Sequence, residues 1–343
     1  MREDKDEIPY DLELERLKEI VKEGKAKRIL VQLPFGLRKY ALEIARAAEE
    51  AGTLPIIHAD PCHGACDIPF WAAEVLNADL IIHYGHSEML SRPGGPPVYY
   101  LEARMGLDIE EAVRKALEFL EPYGPIGLAT TVQHAGSLGR VAELARSAGH
   151  EVIIGRAGGR VKYDGQVLGC DFTTVRAVQE QVDAFLVLGS KFHAIGVAIA
   201  TGKPTVMANP YERVAEDVGR EARRVLARRY ASVEEAREAR CFGIIIGLKP
   251  GQFRPQIALR AVKLVKESGR EAILLAANEI RPEYLADFED IDAFVNTACP
   301  RLSLEDAGAF GRPLLTYPEL LVALGKLRWE ELCEAGWFGV PGS

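Results

Sequence analysis

The sequence contains no apolar run long enough to cross a membrane, and its first residues, MREDKDEIPY, are charged where a secretory leader would be hydrophobic. Both absences point to a cytoplasmic protein with no membrane contact. Positive charge is also short. Against 50 Asp and Glu there are 42 Lys and Arg, a formal net charge of −8. Broad contact with nucleic-acid backbone needs a basic surface and is therefore not expected. The balance suits an enzyme acting on a small molecule or on a basic patch of another protein. GxGxxG, P-loop and HExxH motifs are missing, and no Ser-His-Asp order stands out. The CxxxCxxC motif, which usually holds a radical-generating cluster, is absent as well.

What is there is a chain of 343 residues, 48% of them hydrophobic, enough for two or three domains each with its own core. Its main feature is an internal repeat. Three segments read as strand, Gly-containing turn, helix, Gly, strand: AKRILVQLPFGLRKYALEIARAAEEAGTLPIIHAD, GPIGLATTVQHAGSLGRVAELARSAGHEVIIGRA and FGIIIGLKPGQFRPQIALRAVKLVKESGREAILLAAN. Gly52, Gly149 and Gly269 each follow a first-strand residue (Val31, Leu128, Leu248) by 21 positions. They suit the left-handed turn that ends a helix. Within the first helix Ala41, Ile44, Ala45 and Ala48 have helical apolar spacing.

Each repeat continues with a third strand (ADLIIHYGH, VDAFLVLGS, IDAFVNTAC) and a short fourth (PVYYLEA, PTVMANP, RPLLTY). Strands alternating with helices imply right-handed crossovers and parallel sheets. The expected fold is α/β, with three homologous doubly wound parallel-sheet modules over residues 1–115, 116–232 and 233–343. IEEAVRKALEFL and VEEAREAR read as connecting helices, and residues 1–25 as an N-terminal helix on the first module.

Six cysteines in a chain of this kind are not a disulfide framework. Cys66 and Cys170 each follow the second strand of a module, each precedes a glycine (Gly85, Gly189) by 19 residues, and each is followed by Asp. Cys299 ends the third strand of the third module. All three fall past the carboxyl ends of parallel strands, the edge where open α/β sheets bind ligands. A single buried cysteine is ordinarily a small hydrophobe. Three at the ligand edges of three repeats, packed about a pseudo-threefold axis, would converge. Three thiolates with an open position suit an Fe–S cluster that keeps one iron free for substrate. Cys241 and Cys333 read as packing residues. Cys62 makes a CxxxC pair with Cys66, and no third cysteine nearby completes a local metal motif.

The stretches HGACD (63–67), YGHS (84–87), TTVQH (130–134), GQVLGCD (165–171), GSKFHAIGVAIAT (189–201), KPGQ (249–252) and ACPR (298–301) occur in an order that resembles the archaeal diphthamide synthase family, the 2-(3-amino-3-carboxypropyl)histidine synthases. The resemblance covers nearly the whole chain; Cys62 departs from the family pattern. It implies a 4Fe-4S cluster held by Cys66, Cys170 and Cys299, with S-adenosylmethionine as substrate. It also implies archaeal elongation factor 2 as protein acceptor, an electron donor and a homodimer. The reaction it implies is cleavage of the bond between sulfur and methionine Cγ, followed by radical addition to imidazole C2 of one acceptor histidine.

Loops at the ligand edge offer His86, Gln133, His134, Gly189, Ser190, His193 and Gln252 as contacts for the substrate. The Gly-rich run GRAGGRVKYDG before Cys170 reads as a hairpin or lid with backbone N–H groups for an anion. Two other functions share much of the pattern. A quinolinate synthase-like dehydratase would also draw one cysteine from each of three modules. A triplicated binding module without enzymatic activity would simply bury them.

Overall fold

The computed structural model describes residues 9–305 and 307–337. It contains three parallel sheets, one per repeat. The first comprises β1 (Arg28–Gln32), β2 (Leu54–His58), β3 (Leu80–Tyr84) and β4 (Val98–Leu101). The second comprises β5 (Ile126–Thr130), β6 (Val152–Ile153), β7 (Ala184–Leu188), β8 (Thr205–Asn209) and β9 (Val214–Asp217). The third comprises β10 (Cys241–Gly247), β11 (Glu271–Ala277), β12 (Ala293–Asn296) and β13 (Leu314–Thr316). In every module the repeat's first strand lies between its second and third, and the fourth flanks the third. The order is thus 2-1-3-4 three times, the doubly wound arrangement read from the repeat.

The local reasons are the same in each copy. The first strand is a short apolar run buried on both faces, as parallel sheet requires (Ile29, Leu30 and Val31 are inaccessible). A 3-10 turn follows (Phe35–Tyr40, Val132–Ser137, Pro250–Gln252), then the crossover helix (Ala41–Glu50, Leu138–Ser147, Pro255–Glu267). Gly52, Gly149 and Gly269 end those helices at φ of +90°, +93° and +76°, which only glycine adopts without strain. In the first helix Ile44, Ala47 and Ala48 face the core, so Ala47 takes the place expected of Ala45.

Three features were not foreseen. β9 is a thirteenth strand, antiparallel to β8. Its sequence, VAED, is too polar to read as sheet; it forms because Asn209 Oδ1 accepts the Tyr211 and Glu212 N–H groups and turns the chain back. β6 is only two residues long, after which residues 155–171 leave the sheet and return to pair Gln166 with Thr130 beside the end of β5. Finally, the helix Glu110–Leu120, within which residue 115 falls, packs on β8 and β9 of the second sheet.

The cores are unequally shared. The first module buries its own residues in two clusters, one around Leu17, Ile29, Ile44 and Ile82, the other around Leu30, Phe70 and Ile81. The N-terminal helix, observed at Leu14–Glu23, supplies Leu17, Ile20 and Val21 to the first of these. The second and third modules each keep a cluster of their own and also share one continuous cluster running from Ala129 and Phe185 through Val225 to Ile244, Val295 and Leu320. The long helix Gly219–Ala236 sits within it. Its Arg229 forms a buried two-pronged ion pair with Glu319 at 2.7 and 2.8 Å.

Candidate metal centre at the junction of the three modules

The three expected cysteines face one another where the carboxyl edges of the sheets meet. Cys66 lies in the turn after β2, with Asp67 N–H donating to the Gly64 carbonyl at 3.0 Å. Cys170 lies in a tight turn closed by backbone bonds between Leu168 and Asp171. Cys299 comes three residues after the end of β12, directly before the helix Pro300–Glu305, and its carbonyl accepts from Asn296 Nδ2 at 2.6 Å.

Their electrostatics record the convergence. Burial pushes the Cys299 thiol up to about 12, and the charges of Cys170 and Cys66 push the same way. Burial also raises Cys170, with Cys66 adding to the rise. At Cys66, burial raises the thiol, and a hydrogen bond from Gln252 Nε2 to Sγ at 3.3 Å works against it. Left alone, the three sulfurs would stay protonated; a cationic group bound among them would displace those protons. Positive charge is at hand. Arg160 reaches Cys170 Sγ at 4.0 Å. Arg254 is held below its usual range by burial and by Arg160, an effect opposed by the charges of all three cysteines. Arg301 stacks on the Phe192 ring at 4.8 Å. Three thiols from three modules, ringed by guanidinium groups, fit an Fe–S cluster with three protein ligands.

Contacts between modules hold this junction. Lys249 Nζ pairs with Asp67 at 2.7 Å and with Glu279 at 2.6 Å; burial alone would lower its pKa, but the two carboxylates raise it. Gly251 N–H donates to the Cys66 carbonyl at 2.8 Å, and a side chain at Gly251 would lie 2.6 Å from Cys66 Cα and Cβ. Gln133 Nε2 donates to the Gly85 carbonyl at 2.6 Å and Gln166 Nε2 to Ser87 Oγ at 2.9 Å, joining the second module to the first.

The run GRAGGRVKYDG, residues 155–165, contains no strand pair and is not a β-hairpin. It is a strap tied at several points: Arg160 N–H donates to Asp171 Oδ2 at 2.6 Å and Tyr163 OH to Glu102 Oε1 at 2.6 Å.

The remaining expected residues fall into separate groups. Gln133, His134, Gly189, Ser190 and His193 line one cavity of about 450 Å³. Ser190 Oγ lies 2.8 Å from His193 Nδ1, and burial lowers both His134 and His193 to about 4. Phe192, whose ring centroid lies 5.2 Å from that of His193, packs against Gly169, the neighbour of Cys170. Gln252 stands apart from the cavity, on Cys66. His86 is hydrogen-bonded to His83 Nε2 at 2.9 Å, in the first module. Residues that the sequence reading did not single out are Arg160, Arg254, Lys249 and Asp67. Lys249 and Asp67 lie inside quoted motifs, KPGQ and HGACD, so their proximity to a cysteine or a glutamine of interest was the available signal.

Among the described residues no helix is long and apolar enough to cross a membrane. The family described as "Putative diphthamide synthesis protein" matches residues 33–333. The chain is similar to the 2-(3-amino-3-carboxypropyl)histidine synthase of Pyrococcus horikoshii, 37% identical over 93% of this chain and 91% of the relative. It is also similar to subunit 1 of the enzyme of that name from Schizosaccharomyces pombe, 29% identical over 94% of this chain and 76% of the relative. Among solved structures, a crystal structure of Dph2 from Pyrococcus horikoshii with a 4Fe-4S cluster superposes with a TM-score of 0.85 at 33% identity. That match covers 93% of this chain and 92% of the other.

Proposed function

The chain belongs to the family of diphthamide synthesis proteins, and from that premise we propose that it transfers the 3-amino-3-carboxypropyl group of S-adenosylmethionine to C2 of one histidine imidazole in archaeal elongation factor 2. The observation that carries the proposal is the meeting of Cys66, Cys170 and Cys299, one from each module, at a site ringed by Arg160 and Arg254. These three cysteines are the proposed ligands of a 4Fe-4S cluster. When bound, such a cluster supplies the electron that breaks the bond between the sulfonium sulfur and methionine Cγ.

The protein's part is to hold, orient and exclude. Gln252 donates to the Cys66 sulfur, and the guanidinium groups balance the negative charge of three thiolates. The cavity lined by Gln133, His134, Gly189, Ser190 and His193 is the proposed seat of S-adenosylmethionine, whose scissile bond must point at the cysteine junction. Burial keeps its two histidines neutral at pH 7, so they offer hydrogen bonds without repelling a sulfonium. The products are methylthioadenosine and the alkylated imidazole, with the proton from C2 released. The reading places the enzyme in the cytoplasm as a homodimer served by an external electron donor, with modules over 1–115, 116–232 and 233–343.

Anaerobic reconstitution tests it. The protein should take up about four irons per chain. With reductant and S-adenosylmethionine it should yield 5′-methylthioadenosine, and label from the methionine portion should pass to one histidine of added elongation factor 2. Mainly 5′-deoxyadenosine, or no turnover by cluster-replete reduced protein, would overturn the proposal.

A further inference from the structure

Three side chains beside that site, one of them the expected contact His86, meet in the first module. Cys62, His83 and His86 each offer one ligand atom, and those atoms all lie within 4.8 Å of one another. Cys62 and His83 are buried and His86 is half-buried. Cys62 precedes the Cys66 loop, while the two histidines come from the end of β3 and the turn after it.

Hydrogen bonds fix where the protons sit. Gln32 Nε2 donates to the Asp67 carbonyl at 2.6 Å, so Gln32 Oε1 is the atom that faces His83 Nδ1 at 2.7 Å, and that nitrogen carries the proton. His83 Nε2 is therefore a bare lone pair. It meets His86 Nδ1 at 2.9 Å. Burial holds both imidazoles below their usual range, His86 at about 4, so neither takes a second proton at neutral pH. The contact is satisfied by a proton on His86 Nδ1 or by a cation in its place. With Cys62 as third member, one thiolate and two imidazoles make a donor set that zinc and its first-row neighbours take. A tetrahedral ion about 2.0–2.1 Å from each nitrogen sets them about 3.3 Å apart, so binding opens the 2.9 Å contact by a few tenths of an ångström. Gln32 on the far nitrogen of His83 is the outer contact that orients metal-bound histidines.

We propose that Cys62, His83 and His86 form a second metal site, for a zinc-like divalent ion, distinct from the three cysteines at the module junction. Binding exchanges protons for the ion. The Cys62 thiol releases its proton to solvent, and the His86 proton moves from Nδ1 to Nε2. With three protein ligands the fourth position is left to solvent. The ion ties the start of the Cys66 loop to the end of β3, bracing the first module's share of the junction. The proposal stands whether or not the transferase reading holds.

The test has two arms. Full-length protein with its cluster reconstituted, equilibrated with zinc and dialysed, should carry one zinc per chain beyond its iron. A full-length chain with Cys66→Ser, Cys170→Ser and Cys299→Ser, titrated anaerobically with cobalt(II) chloride, should bind one cobalt per chain. It should show a sulfur-to-cobalt charge-transfer band and the intense visible bands of tetrahedral geometry. Adding Cys62→Ser should abolish the charge-transfer band, and adding Gln32→Leu should weaken cobalt binding by about 10- to 100-fold. His86→Gln, at a half-buried position, supplies the same test should Cys62→Ser not fold; it should weaken cobalt binding at least as much as Gln32→Leu. A charge-transfer band unchanged in Cys62→Ser, or no stoichiometric cobalt in the triple variant, would leave a hydrogen-bonded histidine pair only and overturn the proposal.

Discussion

Cys66 and Cys170 stand at the same place in two copies of one repeat, yet they are held in different ways. The Cys170 turn is anchored by its own module: the Asp171 carboxylate accepts the N–H groups of Arg160 at 2.6 Å and Thr173 at 2.9 Å. The Cys66 turn has anchors of its own, Gln32 Nε2 donating to the Asp67 carbonyl at 2.6 Å, but adds several from outside. Gly251 binds its carbonyl, Gln252 its sulfur and Lys249 the neighbouring Asp67, all from the third module. Equivalent position in a repeat therefore says where a ligand sits but not what steadies it. One cysteine reports on local folding, the other on how two modules dock.

Lys249→Met should break this contrast most severely. It leaves the carboxylates of Asp67 and Glu279 facing each other without their cation. The expected cost is about 3 kcal/mol, the scale for removing one partner of a buried ion pair. Urea unfolding should show the loss, and hydrogen exchange should show it concentrated in residues 62–67, with the Cys170 turn protected as before.

Gly251→Ala comes next. Its Cβ would meet the Cys66 backbone at 2.6 Å, so the two loops must part, at about 2 kcal/mol by analogy with overpacked cores. Iron content after reconstitution should fall while the second module's exchange pattern stays unchanged. A variant with full iron would show that the Cys66 turn does not depend on the third module.

Asp171→Asn probes the other side. An amide in that position accepts one backbone N–H where the carboxylate accepted two, a loss of about 1 kcal/mol. Exchange should quicken at Arg160 and Thr173 and leave the first module untouched.

Per pH unit, the effect of acid should be comparable to that of Asp171→Asn. Burial lowers His134 to about 4, against an ordinary value of 6.5. Between those values the unfolded chain binds a proton that the folded chain refuses, so stability falls as pH falls through this window. The contribution is on the order of 1 kcal/mol per pH unit. His134→Gln should flatten the slope of stability between pH 6.5 and 4, measured by urea titration. An unchanged slope would assign the acid sensitivity to other groups.

The repeat made the three parallel, doubly wound sheets legible, because parallel strands bury on both faces and leave short apolar runs at fixed offsets. Gly52, Gly149 and Gly269 were legible for a sharper reason, since a left-handed helix end selects glycine. What was hidden depends on contacts between repeats. Nothing near Cys66 in sequence says that Lys249 steadies its loop, and nothing in GRAGGR says that Arg160 turns toward sulfur. β9 was hidden because its acidic residues do not read as sheet; only its edge position, which tolerates charge, allows them. The motif strings, not the three-cysteine pattern, separated the transferase from a dehydratase of similar architecture.

The continuous core of the second and third modules bears on the order in which a growing chain acquires shape. The first module, with cores of its own, has all its packing partners early in synthesis and folds as a unit. The second cannot complete its interior until β10, β12 and the helix Tyr317–Ala323 have emerged. Lys249 and Gly251, which steady the Cys66 turn, also arrive late, and Cys299 later still. A chain that stops before residue 299 lacks one of the three thiols proposed as cluster ligands, and one that stops before residue 249 also leaves the Cys66 loop unlatched.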